Sequence, residues 1–298
     1  MDWDGYRFLV AVANMGSLSA AARHLGTSQP TVGRRITDLE SELKARLFQK
    51  SSDGYAPTSI GQAVIDRARS IEALVHDIER IAAGHDQRLS GKVTLSTTES
   101  LATFWLAAKL PLIRQRYPNV TVKLLTSTIK QDLMRGEADV ALRIGDPGSP
   151  DLVGRKVGAF AFGLFGARSY LDQHGEPVDV SDLKKHDVIE PVGSIADFVQ
   201  NRRWRELIAD RPAAVSCDHT LGGLAAIRSG MGLFPLPLLA ASYTPTIKRV
   251  LTEDFNVILD LWLLTHRDLR ETARIRAVID LVVEQVRGDR QLFTGNED

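Results

Sequence analysis

One boundary constrains this chain more than any other: at Ser90-Gly91 the spacing of its apolar residues changes period. Before it, Phe8, Leu9 and Val12, then Leu18, Ala21, Ala22 and Leu25, recur at three or four residues, as amphipathic helices require. After it, Val93 to Thr97 alternates as a strand, Ala102 to Tyr117 is helical and Val120 to Leu125 is a second strand. Lys130 to Arg135 then forms a short helix and Ala138 to Arg143 a third strand. That βαβαβ order predicts a parallel sheet covered by helices, because crossover connections are right-handed. A second series has strands expected at Phe160 to Phe165, Asp187 to Glu190, Ala213 to Cys217 and Gly232 to Leu236, with helices at Ile195 to Ala209 and Leu221 to Ser229. A last strand, Leu261 to Thr265, leads into a helix from Ala273 to Val286. The fold class is α/β, with two similar lobes following a helical front end.

Within the front end, Ser17 stands at an N-cap and Gly26 where a left-handed C-terminal residue belongs, so Leu18 to Leu25 is a compact helix. After a short turn the next helix starts at Ser28, tolerates Pro30 in its first turn and runs through Leu43. Its Val32, Ile36, Leu39 and Leu43 form one stripe, with Thr31, Arg34, Arg35, Thr37 and Asp38 on the other side. Asp53-Gly54 marks a turn between two short extended pieces, a small hairpin or wing. From Thr58 to about Arg88 one long helix repeats Val64, Ile71 and Ile78 every seven residues, with Ile60, Leu74 and Ile81 at the companion position and Arg67 breaking that series. Such a seam suits the pairing of two helices, or burial of one helix on its own chain.

A short helix, a tight turn and a second helix with a polar side make the layout of a helix-turn-helix. Ser28, Gln29, Pro30, Thr31 and Arg34 are then best placed to meet base edges. Gln grips adenine and Arg guanine through two bonds, while the Pro30 ring or the Thr31 methyl suits a thymine methyl. Arg35, Arg46 and Lys50 are candidates for phosphate contacts, which set register. Composition bears on this: 37 basic and 37 acidic residues give a net charge of zero, whereas a nonspecific nucleic-acid binder is basic throughout. From Arg23 to Lys50, however, Arg23, Arg34, Arg35, Lys44, Arg46 and Lys50 stand against Asp38, Glu40 and Glu42. So modest an excess makes one subunit a weak binder and puts the affinity in several acting together.

Ligands of open α/β sheets sit beyond the carboxyl ends of the strands. Those ends are Thr98-Glu99-Ser100, Thr126-Ser127-Thr128, Arg143-Ile144-Gly145 and, in the second lobe, Cys217-Asp218-His219-Thr220. Hydroxyls and helix N-termini there favour a carboxylate or other anion. Ser100 and Thr220 equally suit N-caps, and Thr126 to Thr128 an ordinary polar loop. Arg143 ends an otherwise buried strand, so its charge requires an ion pair or a bound anion. Glu99 facing the cleft would repel an anion, neutralise Arg143, or select a hydroxyl or amine. Phe160, Pro191 and Val192 are candidates for apolar wall.

Catalysis is not expected. His-Glu-x-x-His, Gly-x-Ser-x-Gly and phosphate-loop patterns are absent, and His24, His76 and His85 have no acid or nucleophile at a telling spacing, so neither cofactor nor metal is called for. The single Cys217 makes no internal disulfide or cysteine cage. Met231 to Ala241, the most apolar late stretch, is broken by Pro235 and Pro237 and falls short of the roughly 20 residues of a membrane span. The start Met1-Asp2-Trp3-Asp4 lacks the basic then apolar order of a secretory signal, so a cytoplasmic location is expected.

Ser17-Leu18-Ser19-Ala20-Ala21-Ala22-Arg23-His24-Leu25 and Ser28-Gln29-Pro30-Thr31-Val32-Gly33-Arg34-Arg35-Ile36, with Leu39-Glu40, Leu43 and Arg46-Leu47-Phe48, closely resemble the DNA-binding end of LysR-type transcriptional regulators. The likeness continues through Pro57-Thr58 into Ile60-Gly61-Gln62-Ala63. Gly33 departs from a frequent serine, Lys44 from a frequent glycine, and Lys50 and Ser52 from frequent arginines, which bears on operator preference rather than docking. Gly136 to Gly145, Gly222 to Ile227 with Gly230-Met231-Gly232, Leu263 to Arg267 and Arg274-Ile275-Arg276 resemble the effector domain of that family, itself similar to periplasmic binding proteins. The resemblance implies a winged helix-turn-helix at 1–58, a linker and dimerisation helix at 59–89 and a two-lobed effector-binding domain at 90–298. The chain would cross between lobes near Phe160 and His266, giving lobe I about 90–160 and 267–298 and lobe II about 161–266. It also implies promoter binding modulated by a small-molecule effector in the interlobe cleft, and homodimers through the linker helices joined into homotetramers on double-stranded DNA. The transcription machinery stays open as a further partner.

Overall fold

Residues 3–51, 54–84, 86–126, 133, 137–145, 152–208 and 211–295 are described by the structure, a computed structural model. The chain divides into two units, residues 1–80 and 81–298.

In the first unit the caps start and stop the helices. Helix α1 spans Trp3–Met15. Ser17 accepts from Ala20 N at 3.2 Å and Gly26 takes φ 65°, so α2 is Leu18–Leu25. Ser28 caps α3, Gln29–Leu43, which has Pro30 in its first turn. The three close on a core that includes Phe8, Leu9, Val12, Ala21, Val32, Ile36 and Leu39. Strands β1, Phe48–Ser51, and β2, Gly54–Pro57, pair antiparallel as the wing; Asp53 of the expected turn lies outside the described residues. Helix α4, Ser59–Gly84, begins where the Thr58 hydroxyl accepts from Gly61 N at 2.9 Å. Its Ile65 and Ala68 are buried, and Arg69 donates to Asn14 Oδ1 at 2.7 Å. The base of α4 thus packs on its own chain, Val64 of the heptad seam included, while the seam farther along is exposed, Leu74 at 60% and Ile78 at 68%. The Ile81 side chain lies outside the described residues.

The second unit opens with β3, Gly91–Thr97. Helix α5, Glu99–Leu101, runs through a π-helical turn, Ala102–Leu106, into α6, Ala107–Arg116. Strands β4, Val120–Thr126, and β5, Val140–Ile144, flank β3 in parallel, as βαβαβ predicts. Apart from Leu133, the short helix expected at Lys130 to Arg135 lies outside the described residues. There follow β6 (Leu152–Ala167), α7 (Arg168–His174), β7 (Ile189–Pro191), α8 (Val199–Leu207), β8 (Val215–Cys217) and α9 (Thr220–Arg228). The chain ends with β9 (Phe234–Pro237), α10 (Leu239–Ser242), β10 (Ile247–Val250), β11 (Asn256–His266), α11 (Ala273–Gly288) and α12 (Arg290–Thr294).

The two lobes share one sheet. Strands β6 and β11 are long, run antiparallel and belong to both lobes, making one seven-stranded sheet in the order β10-β6-β11-β5-β3-β4 with β9 also on β6. The windows expected at 160–165 and 261–265 are only their apolar portions; Arg155 and Lys156 are exposed and extend β6 through long-range pairing rather than local pattern. Strands β7 and β8 pair in parallel, and Val188 bridges Leu233 beside β9 to complete the second lobe. From Leu261 onward β11 pairs with β5 of the first lobe, with a bulge at Leu261/Trp262.

Candidate functional site

On the first unit the start of α3 is exposed at Ser28, Gln29, Pro30 and Arg34, with Thr31 and Arg35 half-buried. Ser28 Oγ accepts from Thr31 N and bonds Thr31 Oγ1 at 2.8 Å, while Gln29 Oε1 accepts from Ser19 Oγ at 2.9 Å. These exposed side chains are thus pre-set against one another and against α2. Arg35 is drawn toward Asp4 at 3.6 Å and lies over the Phe8 ring. Arg46 is exposed and pairs with Glu40 at 3.3 Å. Lys50 sits in β1, and its side chain lies outside the described residues. Glu40 counts in the sequence only as an acid opposing DNA, but in the fold it braces the backbone. Its Oε1 accepts from Leu47 N at 2.7 Å and Phe48 N at 3.2 Å, bracketing α3 to the wing.

In the second unit a cavity of about 410 Å³ opens where both lobes meet. Thr98, Glu99, Ser100, Arg143, His219 and Thr220, all picked out from strand ends, line it. Arg143, 8% exposed, leaves the end of β5 and donates from Nη2 to Ser96 Oγ at 2.7 Å. Most of the remaining wall is hydrocarbon, including Leu133, Leu152, Phe162, Phe198, Leu259 and Leu264. Across the cleft, His219 precedes α9 and bonds the Asp218 carboxylate at 2.8 Å. That bond, together with the Glu99 charge, raises the imidazole pKa, and it lowers that of Asp218. Burial pushes the Cys217 thiol up, which opposes a nucleophilic role.

Other sequence candidates fall elsewhere. Thr126 is exposed at the end of β4, and because β4 is the edge strand its end lies outside the cavity lining; Ser127 and Thr128 lie outside the described residues. Phe160 is wholly buried against Phe162 and Phe293 and forms no wall, and neither do Pro191 and Val192. Instead the start of α8 reaches the cavity with Phe198, Val199, Gln200 and Arg202, beside Ser194, Ile195 and Asp197. Trp204 holds α8 there by donating to Ile189 O at 2.9 Å, as does Asn201 by donating to Ile195 O at 2.8 Å. The carboxyl end of β7 is the signal for this wall, since the strand-end rule applied to that short strand points at these residues.

Residues 3–62 match the bacterial regulatory helix-turn-helix protein, lysR family, and residues 86–287 match the LysR substrate binding domain. The probable HTH-type transcriptional regulator LtrA of Klebsiella pneumoniae is 29% identical over 289 residues, covering 93% of this chain and 92% of its own. Among solved structures, full-length AphB, a virulence activator of Vibrio cholerae, aligns with a TM-score of 0.65 at 19% identity, covering 95% of this chain and 99% of its own. Full-length CbnR complexed with its target DNA aligns with a TM-score of 0.61 at 21% identity, covering 96% and 100%.

Proposed function

The chain belongs to the LysR family of transcriptional regulators, and on that premise we propose which of its residues carry the regulation. It is a DNA-binding regulator with an effector-binding domain, not an enzyme. Residues 1–58 form the winged helix-turn-helix, 59–89 the linker and 90–298 the effector-binding domain. Ser28, Gln29, Pro30, Thr31 and Arg34 read base edges from the start of α3, and Arg35, Arg46 and Lys50 hold phosphates. The CbnR structure solved with its target DNA supports this use of the front end.

The observation that carries the effector assignment is Arg143, a buried guanidinium on the wall of a largely apolar cavity. The volume, about 410 Å³, falls within the roughly 300–1,000 Å³ of small-molecule pockets. An apolar body bearing one carboxylate fits, with the carboxylate toward Arg143, Thr98 and Ser100 and any hydroxyl or amine toward Glu99. The exposed α4 seam pairs two subunits, and two such dimers make a tetramer holding two DNA half-sites in the cytoplasm. Effector binding favours one arrangement of the lobes, and it shifts the regulator only as far as its affinities for the two arrangements differ. Among the described residues no helix is long and apolar enough to cross a membrane.

A thermal-shift screen of small carboxylates and aromatics identifies ligands, since a native-state ligand raises stability by mass action. Arg143→Ala and Thr98→Ala each weaken the effector response, roughly tenfold or more for the lost charge-assisted bond at Arg143, and leave basal DNA binding intact. An unchanged effector titration in both variants overturns the site. In gel-shift competition Arg34→Ala loses sequence-selective binding; full retained selectivity removes α3 as the reader.

A further inference from the structure

A second cavity, of about 440 Å³, lies in the second unit between β6 and the corner where α11 turns into α12. It shares no lining residue with the cavity at the strand ends. Its floor is hydrocarbon: Val286 and Phe293 are buried, and the Phe293 ring is held 5.1 Å from that of Trp105 and 5.6 Å from that of Phe160. Asp289 fixes the corner itself, accepting from Trp105 Nε1 at 2.7 Å and pairing with Lys109 at 2.6 Å. On the opposite wall a Cβ at Gly158 would stand 3.4 Å from Val286 Cγ1, so a side chain there would occupy part of the space. Strand β6 is irregular at this point. Leu261 of β11 pairs with Gly158 and Trp262 with Lys156, which leaves Val157 without a partner on β11, and β9 joins the other edge of β6 only from Phe162 onward. Such bulges are frequent at sheet edges and beside functional sites.

The charged residues that line this cavity are Lys156, Arg287 and Arg290, and no acid stands among them. Lys156 is paired with Asp260 at 2.7 Å. The nearby acids of α11 and the corner are engaged elsewhere: Asp280 by Arg155, Glu284 by Arg116 and Asp289 by Lys109. Arg287 and Arg290 are exposed and have no acid partner among the described residues. The helix dipole favours Arg287 in the last turn of α11 but not Arg290 in the first turn of α12.

We propose that this cavity is a second ligand site, which takes a small phosphate monoester with an apolar body. The head lies on Arg287 and Arg290, and the body on Val157, Val286 and Phe293. Two guanidinium groups match the roughly two negative charges of a phosphate monoester at neutral pH, and their planar forks match its oxygens. The site is independent of the effector assignment.

The test titrates the full-length protein with 1-naphthyl phosphate by calorimetry, and follows hydrogen exchange of the same complex. The wild type binds, and the amides of 156–159 and 287–293 exchange more slowly in the complex. Both arginines are exposed, so their substitution leaves the fold intact. Arg287→Gln and Arg290→Gln each weaken binding by roughly tenfold, as loss of a charge-assisted bond does. Inorganic phosphate, which lacks the body, and 1-naphthol, which lacks the charge, each bind the wild type about tenfold more weakly or worse. Arg143→Ala keeps the affinity for 1-naphthyl phosphate within about twofold, which separates this site from the effector cavity. A wild type that does not bind overturns the proposal, as does affinity retained when both arginines are replaced. Inorganic phosphate binding as tightly as the ester, or loss of binding in Arg143→Ala, also overturns it: the first reports bare charge attraction, the second a ligand seated in the other cavity.

Discussion

Removing the Glu40 carboxylate tests whether the bracket between α3 and the wing positions the DNA-binding face. The side chain is 11% exposed, and its Oε1 accepts from Leu47 N at 2.7 Å and Phe48 N at 3.2 Å. Leu47 and Phe48 are both buried, so their amides gain little from water once the carboxylate is gone. Hydrogen bonds to a charged acceptor contribute about 1.5–3 kcal/mol each; allowing for the longer second bond, Glu40→Ala costs the first unit about 3 kcal/mol. The Arg46 partner is exposed and adds about 0–1 kcal/mol. Glu40→Gln keeps a neutral oxygen for the same amides and costs about 1 kcal/mol. Chemical unfolding of the first unit measures both variants, and gel shifts with the selected operator follow the binding face. A Glu40→Ala protein as stable as the wild type, or no less stable than Glu40→Gln, refutes the reasoning.

Lys44 ends α3 in the left-handed region at φ 50°, so Lys44→Gly raises the stability of the first unit by about 1 kcal/mol in chemical unfolding. Unchanged stability would mean that the strain is absent. Gly61 is so close to the Leu47 carbonyl oxygen that a Cβ there would collide with backbone, and Gly61→Ala lowers stability by about 2 kcal/mol or more. Operator binding falls with it, and a fully stable variant contradicts the packing. The raised pKa of His219 gives a stabilisation fully present below the ordinary histidine value of 6.5 and lost as pH rises through the folded value. The melting temperature of the second unit therefore declines from slightly acid to slightly alkaline pH, and His219→Gln flattens that slope; an identical slope in the variant rules the histidine out.

What the sequence reveals follows the range of the forces involved. Ser17, Gly26, Ser28 and Pro30 act on their own turns of backbone, so the ends of α2 and α3 are legible without any knowledge of the rest of the chain. Strand β6 is different: its exposed Arg155 and Lys156 become strand because β11, about a hundred residues away, supplies the hydrogen bonds. The cavity divides the same way. The ends of β3, β5 and β8 are enough to place Thr98, Arg143 and His219, but Thr126 is lost to the edge position of β4, which only the strand order decides. Phe162 rather than Phe160 lines the cavity because Phe160 is taken up by Phe293 of the last helix.

Charge counting meets a similar limit at Glu40. In any sum it is one negative charge against phosphate, yet its oxygens are engaged by two amides and by Arg46. The two views predict opposite signs for one substitution. If net charge governed affinity, Glu40→Gln would make the domain more basic by one and bind DNA more tightly, with a steeper dependence on salt. If the bracket governs, the wing is held less firmly against α3 and the same variant binds more weakly at every salt concentration, although it has gained positive charge. We expect the second outcome, measured as operator affinity across a salt series. Tighter binding by Glu40→Gln would show that the backbone bonds at Leu47 and Phe48 do not position the face that meets DNA.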